Sequence, residues 1–382
     1  MSGPGVHEEF VEPAYERRSL GDVVPAVGRA LGFVLPELAP AGPSGLVLPD
    51  AASYVVLLVD GLGARLLQRY AYAAPYLAEL FEDQEPGTAG VPSTTATSLT
   101  SLGTGLPPGS HGMVGFTSRV PETGKLLNAL LWDQDVDPAA WQPHPTAFAR
   151  LQAAGLPVTV VNKAEFAGSG LTRAAHRGAA YVGGETVGER LAAAVLASSH
   201  GPSLVYLYDG DLDKIGHRYG VASQQWLAQL STIDDQAEQL RESLPSSIRL
   251  VVVADHGMVD APPEHRIDVD EHLELRDGLA LLGGEARFRH LYSQRGAVDD
   301  LVATWRDHLG DRADVLTRDE AIDRGWFGPV TGPVRPRLGD VVVASRGDHA
   351  VFSSVDFGYE TTLVGLHGSL SADEMLIPIL VD

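Results

Sequence analysis

The chain has 382 residues, of which 44% are hydrophobic and 20% are charged, a composition that predicts a soluble globular protein with a sizeable core. Its 28 Lys and Arg against 50 Asp and Glu give a formal net charge of −22; since no run is rich in Lys or Arg, we expect no binding to a nucleic-acid polymer. Cysteine is absent, which excludes disulfides, cysteine-ligated zinc sites and cysteine nucleophiles.

The first 50 residues or so predict a weakly structured lead-in. Its start is acidic and lacks an apolar run, so we expect no signal peptide. No stretch of the chain approaches the length of a membrane-spanning helix, and we therefore expect a cytoplasmic location and no membrane partner. Within the lead-in, a short helical pattern begins at Val23 and ends at Gly32. A proline-rich link follows it, with prolines at Pro36, Pro40, Pro43 and Pro49.

Three continuous apolar runs predict buried strands, and each of them is followed directly by an aspartate. They are YVVLLV, LVYLY and RLVVVA, which precede Asp60, Asp209 and Asp255. A further strand is expected at 157–161. Helices are expected after Asp60, at 147–154, at 186–197, and from Trp226 to Leu244, where apolar residues recur at intervals of three and four. Solid apolar strands that alternate with helices predict an α/β fold, with a mainly parallel central sheet and helices on both faces.

The pattern changes between about residues 261 and 347. Strand-like pieces at 286–292 and 340–344 alternate there with helical patterns at 298–309 and 318–324. We interpret this segment as a small inserted α+β cap subdomain. Residues 1–260 and 348–382, which end in a last apolar strand, would then form the catalytic core.

A run of hydroxyl side chains, VPSTTATSLTSLGTG, occupies residues 91–105. Pro92 stops any preceding helix, and Ser93 or Thr94 can cap the first N–H groups of a new one. A hydroxyl in that first turn lies in the positive field of the helix N-terminus, which also favours a phosphate or an alkoxide. Taken alone, a Ser/Thr run is more often a solvated turn or a cap, so its meaning depends on the rest of the chain.

Four other segments carry residue types that bind metals. They hold Asp60; Asp209, Asp211 and Asp213 with His217; Asp255 with His256; and His367. The first three follow apolar strands, and the carboxyl ends of parallel strands meet at one crevice. Asp213 and His217 are four residues apart, which places them on one face of a helical turn. Each residue alone has an ordinary interpretation as a turn former or a satisfied polar group, whereas their joint occurrence favours a site.

In these motifs the chain resembles the alkaline phosphatase superfamily, and within it the nucleotide pyrophosphatase/phosphodiesterase branch. The motifs VDG, PSTTATSLTSLGTG, GSHGMVG, DLDKIGHRYG, ADHGM and HGS appear in the order of that family. The resemblance covers the chain from about Tyr54 to Met258 and again from His367 to the end. It implies an alkaline phosphatase-like fold and a metal-dependent hydrolase of phosphate esters.

The resemblance also implies roles for single residues. Asp213, His217 and His367 are expected to bind one divalent ion, and Asp60, Asp255 and His256 a second, which also contacts the nucleophile, Thr95. Zinc suits such nitrogen and oxygen ligands, and manganese is an alternative. Thr95 would form a covalent phospho-threonine that water then hydrolyses. Thr94 is the second choice of nucleophile, and Asp209 and Asp211 are left as outer residues of the site.

One position departs from the family pattern. Phosphodiesterases of this branch often have an Asn after the HGMVG-like segment, where this chain has Phe116. Phe116 is expected to stack on a base or to line the leaving-group pocket.

The leading hypothesis is a phosphodiesterase or nucleotide pyrophosphatase that acts on a small phosphate ester or nucleotide. A phosphomonoesterase or phosphonate hydrolase is the alternative, and it would call for a cationic clamp, for which Arg65, Lys163 and Arg119 are candidates.

Two other classes are disfavoured. A sulfatase typically needs Cys or Ser at the nucleophile position, and Thr95 and the absence of Cys argue against that class. A metal-stabilised binding protein without catalysis is disfavoured by the complete set of ligand-type residues together with a hydroxyl at Thr95. The pattern does not specify an oligomeric state.

Overall fold

The structure, a computed structural model, describes residues 10–35, 38 and 45–382. The segment 1–9 and three prolines of the predicted link, Pro36, Pro40 and Pro43, lie outside the described residues. In the part of the chain that is described, no helix is both long enough and apolar enough to cross a membrane.

The helices and strands of the described residues follow one another along the whole chain. The helices are α1 (Val23–Ala30), α2 (Ala64–Arg69), α3 (Pro75–Glu82), α4 (Thr95–Thr104), α5 (Pro108–His111), α6 (Pro138–Trp141), α7 (Ala147–Ala153), α8 (Gly170–Ala175), α9 (Val187–Ser198), α10 (Asp211–Tyr219), α11 (Gln224–Ser243), α12 (Val298–Leu309), α13 (Arg318–Asp323) and α14 (Ala372–Met375). The strands are β1 (Ser53–Val59), β2 (Gly87–Thr88), β3 (Thr117–Arg119), β4 (Leu126–Asn128), β5 (Val158–Asn162), β6 (Ala180–Gly183), β7 (Leu204–Asp209), β8 (Ile248–Val253), β9 (Val259–Asp260), β10 (Arg266–Asp268), β11 (Leu279–Glu285), β12 (Phe288–Ser293), β13 (Ala313–Thr317), β14 (Val341–Ser345), β15 (Ala350–Phe352), β16 (Gly365–Leu366), β17 (Leu376–Ile377) and β18 (Ile379–Val381).

The central sheet has six strands in the order β18-β8-β1-β7-β5-β6. Five of them are parallel, and β18 pairs antiparallel with β8 at one edge. All seven residues of β1 are buried, and because successive side chains point to opposite faces, both faces of the sheet are covered. The predicted α/β fold with a mainly parallel sheet is confirmed.

The parallel register brings the strand ends to one edge. Val59 is paired with Asp209, and Leu58 is paired with Val253. Asp60 therefore follows its strand at the same level as the end of β7, and Asp255 comes two residues after the end of β8. This edge carries the candidate site.

A second sheet of four antiparallel strands, β11-β12-β14-β13, lies within the segment 261–347. Its residues alternate between two hydrophobic clusters: Val341 and Val343 of β14 pack with Trp305 of α12, whereas Val342 and Ala344 belong to the main core. The period of two of a strand explains this division, since one face meets α12 and the other meets the catalytic core. The segment also pairs beyond its predicted boundary, because β10 joins β15. The division into core and cap stays a prediction.

The lead-in is more ordered than expected. The helical pattern forms α1, but its Val23 and Val27 are fully buried in the main core, as is Leu20 in the turn before it. That turn packs against α4, all ten residues of which are buried. An apolar face that meets a buried helix is stabilised by packing rather than by helix propensity, so the expectation of weak structure was wrong for residues 20–30.

Candidate active site

Three carboxylates and three imidazoles meet at the carboxyl edge of the central sheet. Asp60 follows β1 directly, Asp255 comes two residues after the end of β8, and α10 begins two residues after the end of β7. The helical turn of α10 then brings His217 Nε2 to 3.3 Å from Asp213 Oδ2, as their spacing predicts. Gly61 has a φ of +76°, and a Cβ there would lie 3.1 Å from the Asp213 backbone. The VDG motif thus needs glycine both for its turn and for the close approach of α10.

The first cluster consists of Asp60, Asp255 and His256. His256 Nε2 lies 3.5 Å from Asp60 Oδ1 and 3.4 Å from Asp255 Oδ2. Asp255 and His256 are completely buried, and Asp60 is 2% exposed. Each of the three residues offers one ligand atom within 4.8 Å of the others, so this cluster has the donors and the spacing for one divalent ion.

The second cluster consists of Asp213, His217 and His367. His367 Nε2 lies 3.8 Å from Asp213 Oδ1, and the ring centroids of His217 and His367 are 5.1 Å apart. His367 also stacks on His256 at 3.7 Å between centroids, which joins the two clusters. The structure thus brings the six predicted residues together, although His367 is 111 residues beyond His256 in the chain; their role as metal ligands stays a prediction.

The three imidazoles are oriented by the same contact. The Nδ1 atom of each ring donates to a backbone carbonyl: His217 to Gly365 O at 2.7 Å, His256 to Gly257 O at 2.9 Å and His367 to Ser93 O at 3.0 Å. With the proton fixed on Nδ1, the lone pair of Nε2 points to the carboxylates. Metal-binding histidines are held in this way, since the outer contact sets the tautomer and the ring orientation.

Each carboxylate also has one buried oxygen without a hydrogen-bond partner. These atoms are Asp60 Oδ1, Asp213 Oδ1 and Asp255 Oδ2. Burial raises the pKa of Asp60 well above its usual value, and the charges of Asp255 and Asp213 raise it further. Burial raises the pKa of Asp255 too. Buried, unpaired and mutually repelling carboxylate oxygens are costly without a cation, so the residues present fit two divalent ions.

Helix α4 places Thr95 at these clusters. Thr95 is the first residue of the helix, and its Oγ1 lies 3.4 Å from Asp60 Oδ2 and 3.3 Å from His256 Nε2. Ser98, one turn later, donates to Asp255 O at 2.8 Å and ties the helix to the first cluster. The positive end of the helix dipole is therefore directed at the site.

The expected side-chain cap of α4 is absent. Thr94 occupies the N-cap position with an extended backbone, yet its side chain makes no capping hydrogen bond. Ser93 donates instead to Ser369 O at 2.6 Å. The prediction of a capping role was wrong because both hydroxyls lie among polar groups that compete with the helix backbone: Ser93 is tied to the segment after His367, and Thr94 faces the cavity.

The remaining acidic and basic candidates are engaged elsewhere. Asp209 lies 3.6 Å from the buried Arg190, and Asp211 forms an ion pair with Lys163 at 3.0 Å. Arg119 donates to Pro336 O at 3.0 Å. Asp209 and Asp211 therefore anchor the start of α10, and the cavity described next is lined by none of the three cations proposed as clamps, Arg65, Lys163 and Arg119.

A cavity of about 390 Å³ opens at the clusters. Its wall includes Thr95, His217 and His367 on one side and mostly apolar side chains on the other: Phe116, Leu130, Leu131, Tyr359, Leu363 and Leu366. The rings of Phe116 and Tyr359 are 6.0 Å apart between centroids and tilted by 57°. Phe116 thus lies in the wall of this cavity, which has the size of a small organic group, and its contact with a substrate stays a prediction.

Several residues of the site were missed by the sequence analysis, and three polar ones are described here. Asn128 and Glu285 line the cavity, and the Tyr208 hydroxyl donates to Asp60 Oδ2. An acid between two apolar strand segments is the only signal that Glu285 offers in the sequence. Asn128 and Tyr208 offer none, because their roles depend on the pairing of β3 with β4 and of β1 with β7.

Comparisons with known proteins relate the chain to a described family. Residues 54–370 match the sequence profile of the family described as type I phosphodiesterase / nucleotide pyrophosphatase. Ectonucleotide pyrophosphatase/phosphodiesterase family member 7 of Mus musculus is 39% identical over 61 residues, which span 15% of this chain and 14% of that protein.

Two solved structures are similar over most of the chain. An inactive variant of murine ectonucleotide pyrophosphatase / phosphodiesterase 5 in complex with AMP has a TM-score of 0.68 and 18% identity, over 87% of this chain and 88% of that chain. Phosphonoacetate hydrolase from Sinorhizobium meliloti in complex with phosphonoacetate has a TM-score of 0.66 and 20% identity, over 88% and 91%. At such identities the similarity shows the fold.

Proposed function

The chain belongs to the type I phosphodiesterase / nucleotide pyrophosphatase family, and from this premise we propose that it hydrolyses phosphate diesters at a two-metal site through a phospho-threonine. The observation that carries the proposal is the position of Thr95, whose hydroxyl lies 3.3 Å from His256 Nε2 at the start of a buried helix. A nucleophilic hydroxyl needs such activating neighbours.

Two ions would be held by the chain's own donors. Asp60, Asp255 and His256 would bind one ion, and Asp213, His217 and His367 the other, with zinc favoured by the mixture of imidazole and carboxylate and manganese as the alternative. When bound, such a pair of ions lowers the pKa of the attacking hydroxyl and neutralises charge on the transferred phosphoryl group.

The geometry supports a route for the protein side of the reaction. Thr95 Oγ1 directs its proton toward Asp60 Oδ2 at 3.4 Å, which leaves an oxygen lone pair for attack on phosphorus. The new bond joins Thr95 Oγ1 to phosphorus while the bond from phosphorus to the leaving oxygen breaks, and the proton of the Thr95 hydroxyl ends on that oxygen, which departs as an alcohol. Water then hydrolyses the phospho-threonine and restores the hydroxyl. The positive end of α4 favours the charge that develops on the phosphoryl oxygens.

A diester fits the cavity better than a monoester does. No Lys or Arg is among the described residues that line it, and a phosphomonoester, with its additional negative charge, calls for such a cation. The apolar wall at Phe116 and Tyr359 suits an aromatic or apolar group of the substrate. AMP is itself a phosphomonoester, so the AMP complex of the murine protein supports a diester or an anhydride of a nucleoside monophosphate as one such substrate, with Phe116 contacting its base or lining the pocket of the leaving group.

The test compares two chromogenic esters with and without metal. The purified protein is assayed with bis(4-nitrophenyl) phosphate and with 4-nitrophenyl phosphate, then after chelation, and again after addition of Zn²⁺ or Mn²⁺, with the metal content measured in parallel. We expect the diester to be the better substrate, activity to be lost on chelation and a metal to restore it. Full activity of the metal-free protein, or a clear preference for the monoester, would overturn the proposal.

A further inference from the structure

Glu285 is a buried acid on the wall of the active-site cavity. It ends β11 and is 7% exposed, and its Oε1 atom has no hydrogen-bond partner. The same cavity is lined by Thr95 and His367. Buried carboxyl oxygens almost always find a hydrogen-bond partner. The carboxyl group of Glu285 lacks one at Oε1 and belongs to the lining of the cavity that holds the candidate nucleophile, which points to a partner that arrives with the substrate.

The Glu285 side chain is placed by close contacts. Gly368 has a φ of +130°, and a Cβ at that position would lie 2.8 Å from Glu285 Cγ and 3.0 Å from its Cδ. The Thr94 hydroxyl and the backbone N–H of Phe116 are near enough to lower the pKa of the acid. Thr94 and Gly368 are the chain neighbours of Thr95 and His367, so the carboxyl group lies beside both halves of the site.

The charges around Glu285 favour its protonated form. Glu360, whose charge acts on Glu285, is already paired with Arg289, and Arg289 also donates to Val351 O at 2.9 Å. Burial and, to a smaller extent, the charge of Glu360 raise the pKa of Glu285 to about 8, although Thr94, Phe116 and Arg289 each act to lower it. A carboxylic acid that stays neutral in an apolar site has a proton to donate.

We propose that Glu285 is a substrate-binding residue, whose carboxylic acid donates a hydrogen bond to an oxygen of the bound phosphate ester. Phosphate oxygens without a proton only accept hydrogen bonds, so the proton must come from Glu285. Phe116 has no donor on its side chain. Apart from Glu285, Glu360 and the candidate metal ligands, the polar side chains of the described lining are Thr94, Thr95, Asn128 and Tyr359. The inference rests on the proposed function, because it takes a phosphate ester as the occupant.

Two replacement side chains of nearly the same length as Glu distinguish the donation of a hydrogen bond to the substrate from simple filling of space. Glu285→Gln keeps an N–H donor at the same reach, and Glu285→Met fills the space without a donor. A hydrogen bond to a charged group contributes about 1.5–3 kcal/mol, so we expect kcat/KM for bis(4-nitrophenyl) phosphate to fall roughly 10- to 100-fold in Glu285→Met. Glu285→Gln should stay within about threefold of wild type. Melting temperature and metal content are measured on the same samples, and both variants should keep them, since Met removes a buried unpaired polar group.

A second readout does not depend on turnover. Binding of the same diester is measured by calorimetry in the Thr95→Ala background, in which we expect cleavage to be blocked. Adding Glu285→Met should weaken binding, and adding Glu285→Gln should leave it nearly unchanged. If Gln is as deficient as Met, the site needs the carboxylate and donation is refuted; if Met binds and turns over like wild type, Glu285 does not contact the substrate. A wild-type protein without metal-dependent diesterase activity would instead refute the proposed function.

Discussion

The two sides of the active-site cavity are built in different ways. One side, which we call the polar edge, consists of Thr95 and the two clusters of Asp and His. The other side, the apolar wall, consists of Phe116, Leu130, Leu131, Tyr359, Leu363 and Leu366. The polar edge comes mainly from the ends of parallel strands and the start of a buried helix, whereas the wall comes from the β3–β4 hairpin and the segment before His367.

This difference separates two tasks. Strand ends in one register hold ligand-type side chains at fixed distances, and a reaction at phosphorus requires such precision. Hairpins and connecting segments tolerate changes in side-chain size and shape, and they suit the selection of a substrate. We therefore expect substitutions in the polar edge to abolish turnover or metal binding, and substitutions in the apolar wall to change the affinity for substrate.

The largest effect is expected for Thr95→Ala. Turnover should fall by several orders of magnitude because the covalent route is lost, while metal content should stay at the wild-type level. Thr95→Ser should keep part of the activity, since it retains the hydroxyl. Steady-state kinetics and the metal content of the same samples check this.

Thr97→Ala is the matched control for this prediction. Thr97 lies in the same helix, is fully buried and has an Oγ1 atom without a hydrogen-bond partner. Its substitution should leave both turnover and melting temperature close to wild type. Because Thr94 and not Thr95 is the N-cap residue, a loss of stability in Thr95→Ala with normal turnover has no capping explanation, and that result would end the assignment of Thr95 as nucleophile.

The next effect concerns the second cluster. Asp213→Asn keeps the size of the side chain and removes the charge, so the protein should lose one of its two ions. Activity should fall at least about 100-fold, which is more than the loss of an outer contact of a metal site usually causes. Asp211→Asn, two residues away, breaks only the partly exposed ion pair with Lys163, and it should keep both ions. Metal analysis after dialysis separates the two variants. Equal metal loss in both would show that α10 is merely destabilised.

The sequence predicted the polar edge well and the apolar wall poorly. Asp60, Asp209 and Asp255 are visible because each follows a solid apolar strand, and the parallel sheet then brings them to one edge. The choice of Asp213 over Asp209 needed only the four-residue spacing to His217. Such local patterns predict where a residue lies within its own strand or helix. The parallel pairing of the strands then determines which of these residues lie close together.

Glu285 and Tyr359 could not be found in this way. They lie in segments whose place over the site depends on how the second sheet packs on the core, which no local period encodes. That packing also makes removal of the whole segment 261–347 a poor test of a separate cap, since Phe288, Trp326 and Phe327 belong to the main core. Point substitutions in the wall test the division of tasks without exposing this core.

A smaller effect is expected from Tyr208→Phe. The Tyr208 hydroxyl donates to Asp60 Oδ2 and so helps to leave Asp60 Oδ1 directed at the first cluster. Loss of this contact should weaken metal affinity by about 10- to 100-fold, the usual effect of an outer contact of a metal site. Titration of the metal-free protein with Zn²⁺ measures it. An unchanged affinity would mean that the strand β1 alone orients Asp60.

The smallest expected effect is that of Phe116→Ala. This substitution tests the difference between the polar edge and the apolar wall most directly. Removal of the ring takes away apolar contact worth about 1.4 kcal/mol, a factor of about ten in binding. Contact that is equally strong in the bound substrate and in the transition state changes KM without changing kcat. We therefore expect KM for bis(4-nitrophenyl) phosphate to rise about tenfold, while kcat stays within about twofold and the metal content is unchanged. Phe116→Leu keeps an apolar side chain against Tyr359, so its KM should lie between those of the wild type and Phe116→Ala. A fall in kcat at constant KM would place Phe116 among the groups that act on the transition state, and the separation of a catalytic edge from a selective wall would then be wrong.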